Sequence, residues 1–129
     1  MVMSLSAKKI PFWLALLVLT ALSLMPTGLL PPPVFSLWDK AQHALGFGGL
    51  TLLGLLTYPH HRVRLPLLLL AHGGLIELLQ AATGWRYGEW LDLLADAVGI
   101  LVVIGLWRAT ATRSTRVRHE AASPNTSQP

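Results

Sequence analysis

The sequence predicts an all-α, membrane-embedded bundle of four transmembrane helices with both termini cytoplasmic. Three observations carry this. Hydrophobic residues make up 53% of the 129 positions and charged residues 12%, against about 25% charged in an ordinary soluble domain. Too few polar side chains remain to cover a water-facing surface. The charges also leave long gaps, and the Lys and Arg residues fall mostly on one side of those gaps. Cysteine is absent, which excludes a disulfide scaffold, a thiolate metal site and a cysteine nucleophile. The apolar content excludes disorder over most of the chain.

The gaps define the elements in order. No Asp, Glu, Lys or Arg occurs from Ile10 to Trp38 or from Ala41 to His61. Between Leu65 and Trp85 the only formal charge is Glu77, and between Leu93 and Trp107 it is Asp96. A bilayer core takes roughly 20 apolar residues per helix. Four spans follow, at 10–30, 41–58, 65–84 and 90–107. In lipid each backbone must satisfy its own hydrogen bonds, so each span is expected to be helical. Lys8 and Lys9 before an apolar run resemble a signal peptide. The run is long for that purpose and lacks a small-x-small cleavage site, so a retained helix is expected. Pro26 kinks or ends it, and Pro31, Pro32 and Pro33 enforce an extended connection. The domain reading is therefore a cytoplasmic N-terminus at 1–9, a transmembrane domain at 10–107 and a basic, disordered cytoplasmic tail at 108–129.

Orientation follows from the cations. With both termini inside, the inner side holds Lys8, Lys9, Arg62, Arg64, Arg108, Arg113, Arg116 and Arg118, and the outer side Lys40 and Arg86. This is a strong positive-inside bias. Trp38, Trp85, Tyr87 and Trp90 would then lie near the outer interface, and Trp13, Tyr58 and Trp107 near the inner one, as amphipathic rings do. The expected location is the cytoplasmic membrane, multi-pass. The basic tail fixes topology or rests on anionic headgroups; no nucleic-acid-binding fold accompanies it.

The acidic residues are not scattered. Asp39, Glu77, Glu89, Asp92 and Asp96 map to the outer loops or the outer halves of the spans. Asp39 and His43 are four apart on one helical face, as are Asp92 and Asp96. Glu77 and Gln80 share a face of the third span, and Arg86 lies in the short loop after it. Glu77 sits about 10 Å below the outer end of its helix. A carboxylate at that depth must face the bundle interior, pair, or be neutral. One outward-facing polar pocket gathers these groups economically. Its expected ligand-binding residues are Asp39, Lys40, His43, Glu77, Gln80, Arg86, Glu89 and Asp92. Gly46, Gly48, Gly49, Gly73 and Gly74 would let the helices approach closely. The competing expectation is that these charges only staple the helices together. His72, deeper in the third span, is expected to hydrogen-bond locally, and His60 and His61 to be solvated.

The same polar pattern resembles the VanZ-like family of small integral membrane proteins. The matching elements are Asp39-Lys40-x-x-His43-x-x-x-Phe47, then Glu77-x-x-Gln80, then Arg86-x-x-Glu89-x-x-Asp92-x-x-x-Asp96-x-x-Gly99. The resemblance covers residues 10–107. It implies a four-helix protein of the cell envelope and a link to tolerance of the glycopeptide teicoplanin. The family often carries Asn where this chain has Asp96.

Three chemistries fit these residues. In the first, the pocket binds a cell-wall component or lipid headgroup: Arg86 and Lys40 hold an anionic group, and the carboxylates hold amines or hydroxyls. Membrane lipids and lipid-linked wall precursors are the expected partners, and a second copy of the chain is a further one. In the second, a membrane enzyme acts on such a substrate. Its catalytic candidates are His43, oriented by Asp39, together with Glu77, Asp92 and Asp96. A divalent cation held by His43, Glu77, Asp92 and Asp96 would be chemically sensible, with Mg²⁺, Mn²⁺ or Ca²⁺ favoured. There is no Gly-rich phosphate loop, HExxH or nucleophile elbow, so binding ranks above catalysis. In the third, Glu77 and His72 relay protons or transport a solute, although no cytoplasmic half-channel is apparent.

Overall fold

The computed structural model describes residues 9–26 and 36–122, with side chains at 9–26 and 40–113. Four helices are present among the described residues, and no strand: α1 (Ile10–Leu24), α2 (Ser36–Thr57), α3 (Arg64–Thr83) and α4 (Trp90–Ala122). Two of them, over Arg64–Thr83 and Trp90–Arg113, are long and apolar enough to cross a membrane, and Ile10–Leu24 is a shorter apolar helix.

Local chemistry sets the ends. Pro11 lies in the first turn of α1, where a missing N–H costs nothing. Met25 is extended, with ψ 140°, because Pro26 disfavours helical geometry in the residue before it. α1 therefore stops at Leu24, earlier than the span expected from composition. Residues 27–35, with the triple proline, lie outside the described residues. Pro66 occupies the first turn of α3, and Gly84 ends that helix at φ 77°, the left-handed cap that glycine adopts without strain. Asp92 lies in the first turn of α4, where a negative charge complements the helix dipole.

α4 departs from expectation at its far end. Helix continues through 108–122, where composition suggested a disordered tail. Neither Gly nor Pro occurs between Gly105 and Pro124, and the Ala and Arg residues there are strong helix formers. Residues 123–129 lie outside the described residues.

α2 and α4 form the most extensive helix pair, with α1 and α3 packed against them. Glycine explains the closeness. A Cβ at Gly99 would run into the Ala44 carbonyl, and one at Gly48 would lie 3.3 Å from the Gly99 carbonyl oxygen. Gly49 and Gly74, expected to serve the same purpose, face open space. Each is the neighbour of a contact glycine, and one residue of helix turns a side chain about 100° off the contact line.

The interior joins an apolar core to a polar one. Phe12, Phe47, Leu50, Leu55, Leu65, Leu69, Ile76 and Ile100 form the apolar part. Thr51, Glu77, Gln80, Asp92 and Asp96 are also buried. Large apolar side chains point outward instead, including Leu14 and Leu17 on α1, Leu67, Leu68 and Leu78 on α3, and Leu101 and Leu106 on α4. At the end of the bundle formed by the α2–α3 connection, Trp13 donates its indole N–H to the Tyr58 hydroxyl at 2.8 Å, and Phe12 packs edge-on to both rings. Trp85, Tyr87 and Trp90 lie exposed at the opposite end. His60 and His61 are exposed.

Candidate functional site

The close α2–α4 contact brings the polar residues of both helices together. Lys40 Nζ donates to Glu89 Oε2 and to Asp92 Oδ1, each at 3.0 Å. Hydrogen bonds to Glu89 first and Asp92 second hold the Lys40 ammonium above its usual pKa of 10.5. One turn further along α2, His43 Nδ1 donates to Asp96 Oδ1 at 3.0 Å. Its Nε2 lies 3.9 Å from Asp92 Oδ2. A single helical turn therefore spaces two parallel links between α2 and α4, Lys40 to Asp92 and His43 to Asp96.

Glu77 joins from α3. Its Oε2 accepts the backbone N–H of Glu89 at 2.7 Å. Gly88 makes this contact feasible, since a Cβ there would collide with the Glu77 carbonyl. The segment before α4 thus lies directly on α3. Glu77 Oε1 and Asp96 Oδ2 are buried and accept no hydrogen bond from the described residues. One ligand atom each from His43, Glu77 and Asp92 lies within 4.8 Å of the other two.

Beside this cluster a cavity of about 600 Å³ opens between α1 and α2. Leu19 and Leu22 on α1 and Leu45, Leu50 and Leu53 on α2 line its length, while Gln42, His43 and Arg86 stand at one end. Arg86 donates through Nε to the Met25 carbonyl at 3.2 Å, which pins the guanidinium beside the end of α1.

Lys40, His43, Glu77, Glu89, Asp92 and Asp96 therefore come together as expected from their spacing. Asp96 is a described partner of His43; Asp39, expected to orient that ring, has its side chain outside the described residues. Two expectations change. Gln80 turns away from the cluster and donates to the Ser23 carbonyl of α1 at 2.9 Å. Arg86 faces α1 and the cavity and forms no ion pair with the acids among the described residues. Of the four residues expected to hold a metal, His43, Glu77 and Asp92 bring ligand atoms within 4.8 Å of one another, and Asp96 pairs with His43 through Oδ1. His72 pairs with Thr20 of α1 at 2.8 Å; it links helices and does not extend the cluster inward. Gly88 had no part in the sequence argument, and its only signal there was a glycine directly preceding the α4 acids.

Comparison with family models, curated proteins and solved structures finds no match to this chain.

Proposed function

We propose that the chain is a four-span membrane protein of the cell envelope, VanZ-like in kind, that binds an anionic amphiphile at its outer face. The observation that carries this is the cavity between α1 and α2, which is apolar along its length and polar at the end where Arg86, Gln42 and His43 stand. An acyl chain matches the first part and an anionic headgroup the second. From Gln42 to Leu53 the α2 wall runs about 16 Å, enough for a substantial length of hydrocarbon.

The membrane setting is supported by the inverted distribution of side chains. Leucines cover the outside while carboxylates, Gln80 and Thr51 lie within. A patch of that extent in water marks an interaction surface, and lipid is the solvent that covers all of it at once. The Lys and Arg bias supports both termini being cytoplasmic, which sets Arg86 and the cluster at the outer leaflet. A phosphate-bearing lipid or lipid-linked wall precursor is the ligand class, since arginine grips a phosphate bidentately. Sequestering such a molecule is the route by which the protein would influence teicoplanin tolerance, with no reaction required.

The test is native mass spectrometry of the chain purified in mild detergent and offered anionic phospholipid. Retention of lipid by the wild-type chain, falling about tenfold or more with Arg86→Ala, is expected, since a hydrogen bond to a charged group is worth about 1.5–3 kcal/mol. Equal retention by wild type and Arg86→Ala would remove the headgroup role of Arg86.

A further inference from the structure

Among the described residues the cluster holds more acidic than basic groups. Glu77, Glu89, Asp92 and Asp96 converge there, and Lys40 and His43 pair with them. Acid alone does not make a site. The second observation is the state of Glu77, which is only 9% exposed and whose Oε1 has no hydrogen-bond partner among the described residues. A buried carboxylate oxygen left without a partner is costly, and a bound cation removes that cost.

The orientation of the three candidate ligands points the same way. Each is held through one atom by a neighbouring residue. Asp92 is gripped at Oδ1 by Lys40 and turns Oδ2 toward His43. Glu77 is gripped at Oε2 by the Glu89 backbone N–H, with Oε1 as its other oxygen. His43 pairs with Asp96 through Nδ1, and its Nε2 lies on the Asp92 side. Such outer partners are what fix the tautomer and aim of metal-ligating side chains.

We propose that His43, Glu77 and Asp92 form a binding site for a first-row divalent cation, Mn²⁺ or Zn²⁺. The distances approach those of such a site. Two ligands at about 2.1 Å from one ion stand roughly 3.0–3.4 Å apart at octahedral or tetrahedral angles, and His43 Nε2 to Asp92 Oδ2 is 3.9 Å. The whole set falls within 4.8 Å, so side-chain rotations that draw the ligand atoms together by roughly 0.5–1.8 Å close it. One imidazole among carboxylates favours Mn²⁺ or Zn²⁺ over Mg²⁺ and Ca²⁺, which prefer oxygen throughout.

The full chain, purified in detergent and stripped with chelator, is titrated with Mn²⁺ alone while electron paramagnetic resonance reports free and bound ion. No lipid is added, so failure here would not touch the headgroup reading, which rests on Arg86. Saturable binding of about one ion per chain is expected, weakened about tenfold or more by Glu77→Gln and by Asp92→Asn. His60→Gln, on the exposed connection between α2 and α3, leaves binding unchanged. Pulsed measurements on the wild-type protein show a nitrogen coupled to the bound Mn²⁺, and His43→Gln abolishes it. Absence of saturable binding, or bound Mn²⁺ without nitrogen coupling, overturns the proposal. The wild-type spectrum decides this even where a variant does not accumulate.

Discussion

Gly99→Ala tests the reasoning about the α2–α4 contact most directly. The added Cβ would collide with the carbonyl of Ala44, an atom of the facing helix backbone. A flexible side chain could swing aside, but backbone cannot. The helices must separate or shift, and overpacking of this kind costs about 1–3 kcal/mol. Rigidity of the obstacle puts Gly99 at the upper end, about 3 kcal/mol. Replacing glycine within a helix returns about 1 kcal/mol of propensity, which leaves a net loss of about 2 kcal/mol. Gly49→Ala is the matched control. It lies in α2, and nothing lies within 4 Å of its added Cβ. There the propensity gain acts alone, so the two variants should differ by about 3 kcal/mol, a more than hundredfold difference in the folded-to-unfolded ratio. Reversible unfolding in mixed detergent micelles, followed by tryptophan fluorescence, measures both. Stability of Gly99→Ala equal to that of Gly49→Ala would refute the close contact.

Two further outcomes follow from the polar links. The raised pKa of Lys40 means that its pairing contributes fully below its usual value of 10.5 and is lost as the pH rises through the higher folded value. The stability advantage of wild type over Lys40→Met should therefore vanish on alkaline titration above that value, and an advantage that persists there would contradict the ion-pair account. The Thr20 hydroxyl spends its hydrogen on the Leu16 carbonyl and accepts from His72 Nε2. Thr20→Val leaves that ring N–H without its partner and should lower stability by about 1–3 kcal/mol, whereas Thr20→Ser should retain most of it. Indistinguishable melting of the Val and Ser variants would mean that the α1–α3 link carries no weight.

Much of the candidate site was legible in local spacing. Asp92 and Asp96 share a helical face whatever the bundle does, because four residues are about one turn. The same periodicity places Lys40 and His43 side by side on α2 and Glu77 at depth on α3. What spacing cannot supply is the rotation of one helix against another. Gln80 is only three residues from Glu77, yet it reaches the Ser23 carbonyl of α1 instead of the cluster. Gly48 and Gly99 make the close crossing while Gly49, one residue along, does not.

The sequence by itself determined an all-helical chain, the approximate position of each helix and the set of polar residues that had to be sheltered. Those are consequences of backbone hydrogen bonding and of charge-free length, both properties of a segment taken alone. Only the tertiary structure decided that Asp96 backs His43, that Lys40 bridges Glu89 and Asp92, and that Arg86 turns to the cavity. Those depend on how closely two helix backbones pass. That distance is set by glycines facing carbonyls across the α2–α4 crossing, a relation between residues roughly 50 positions apart that no local period encodes.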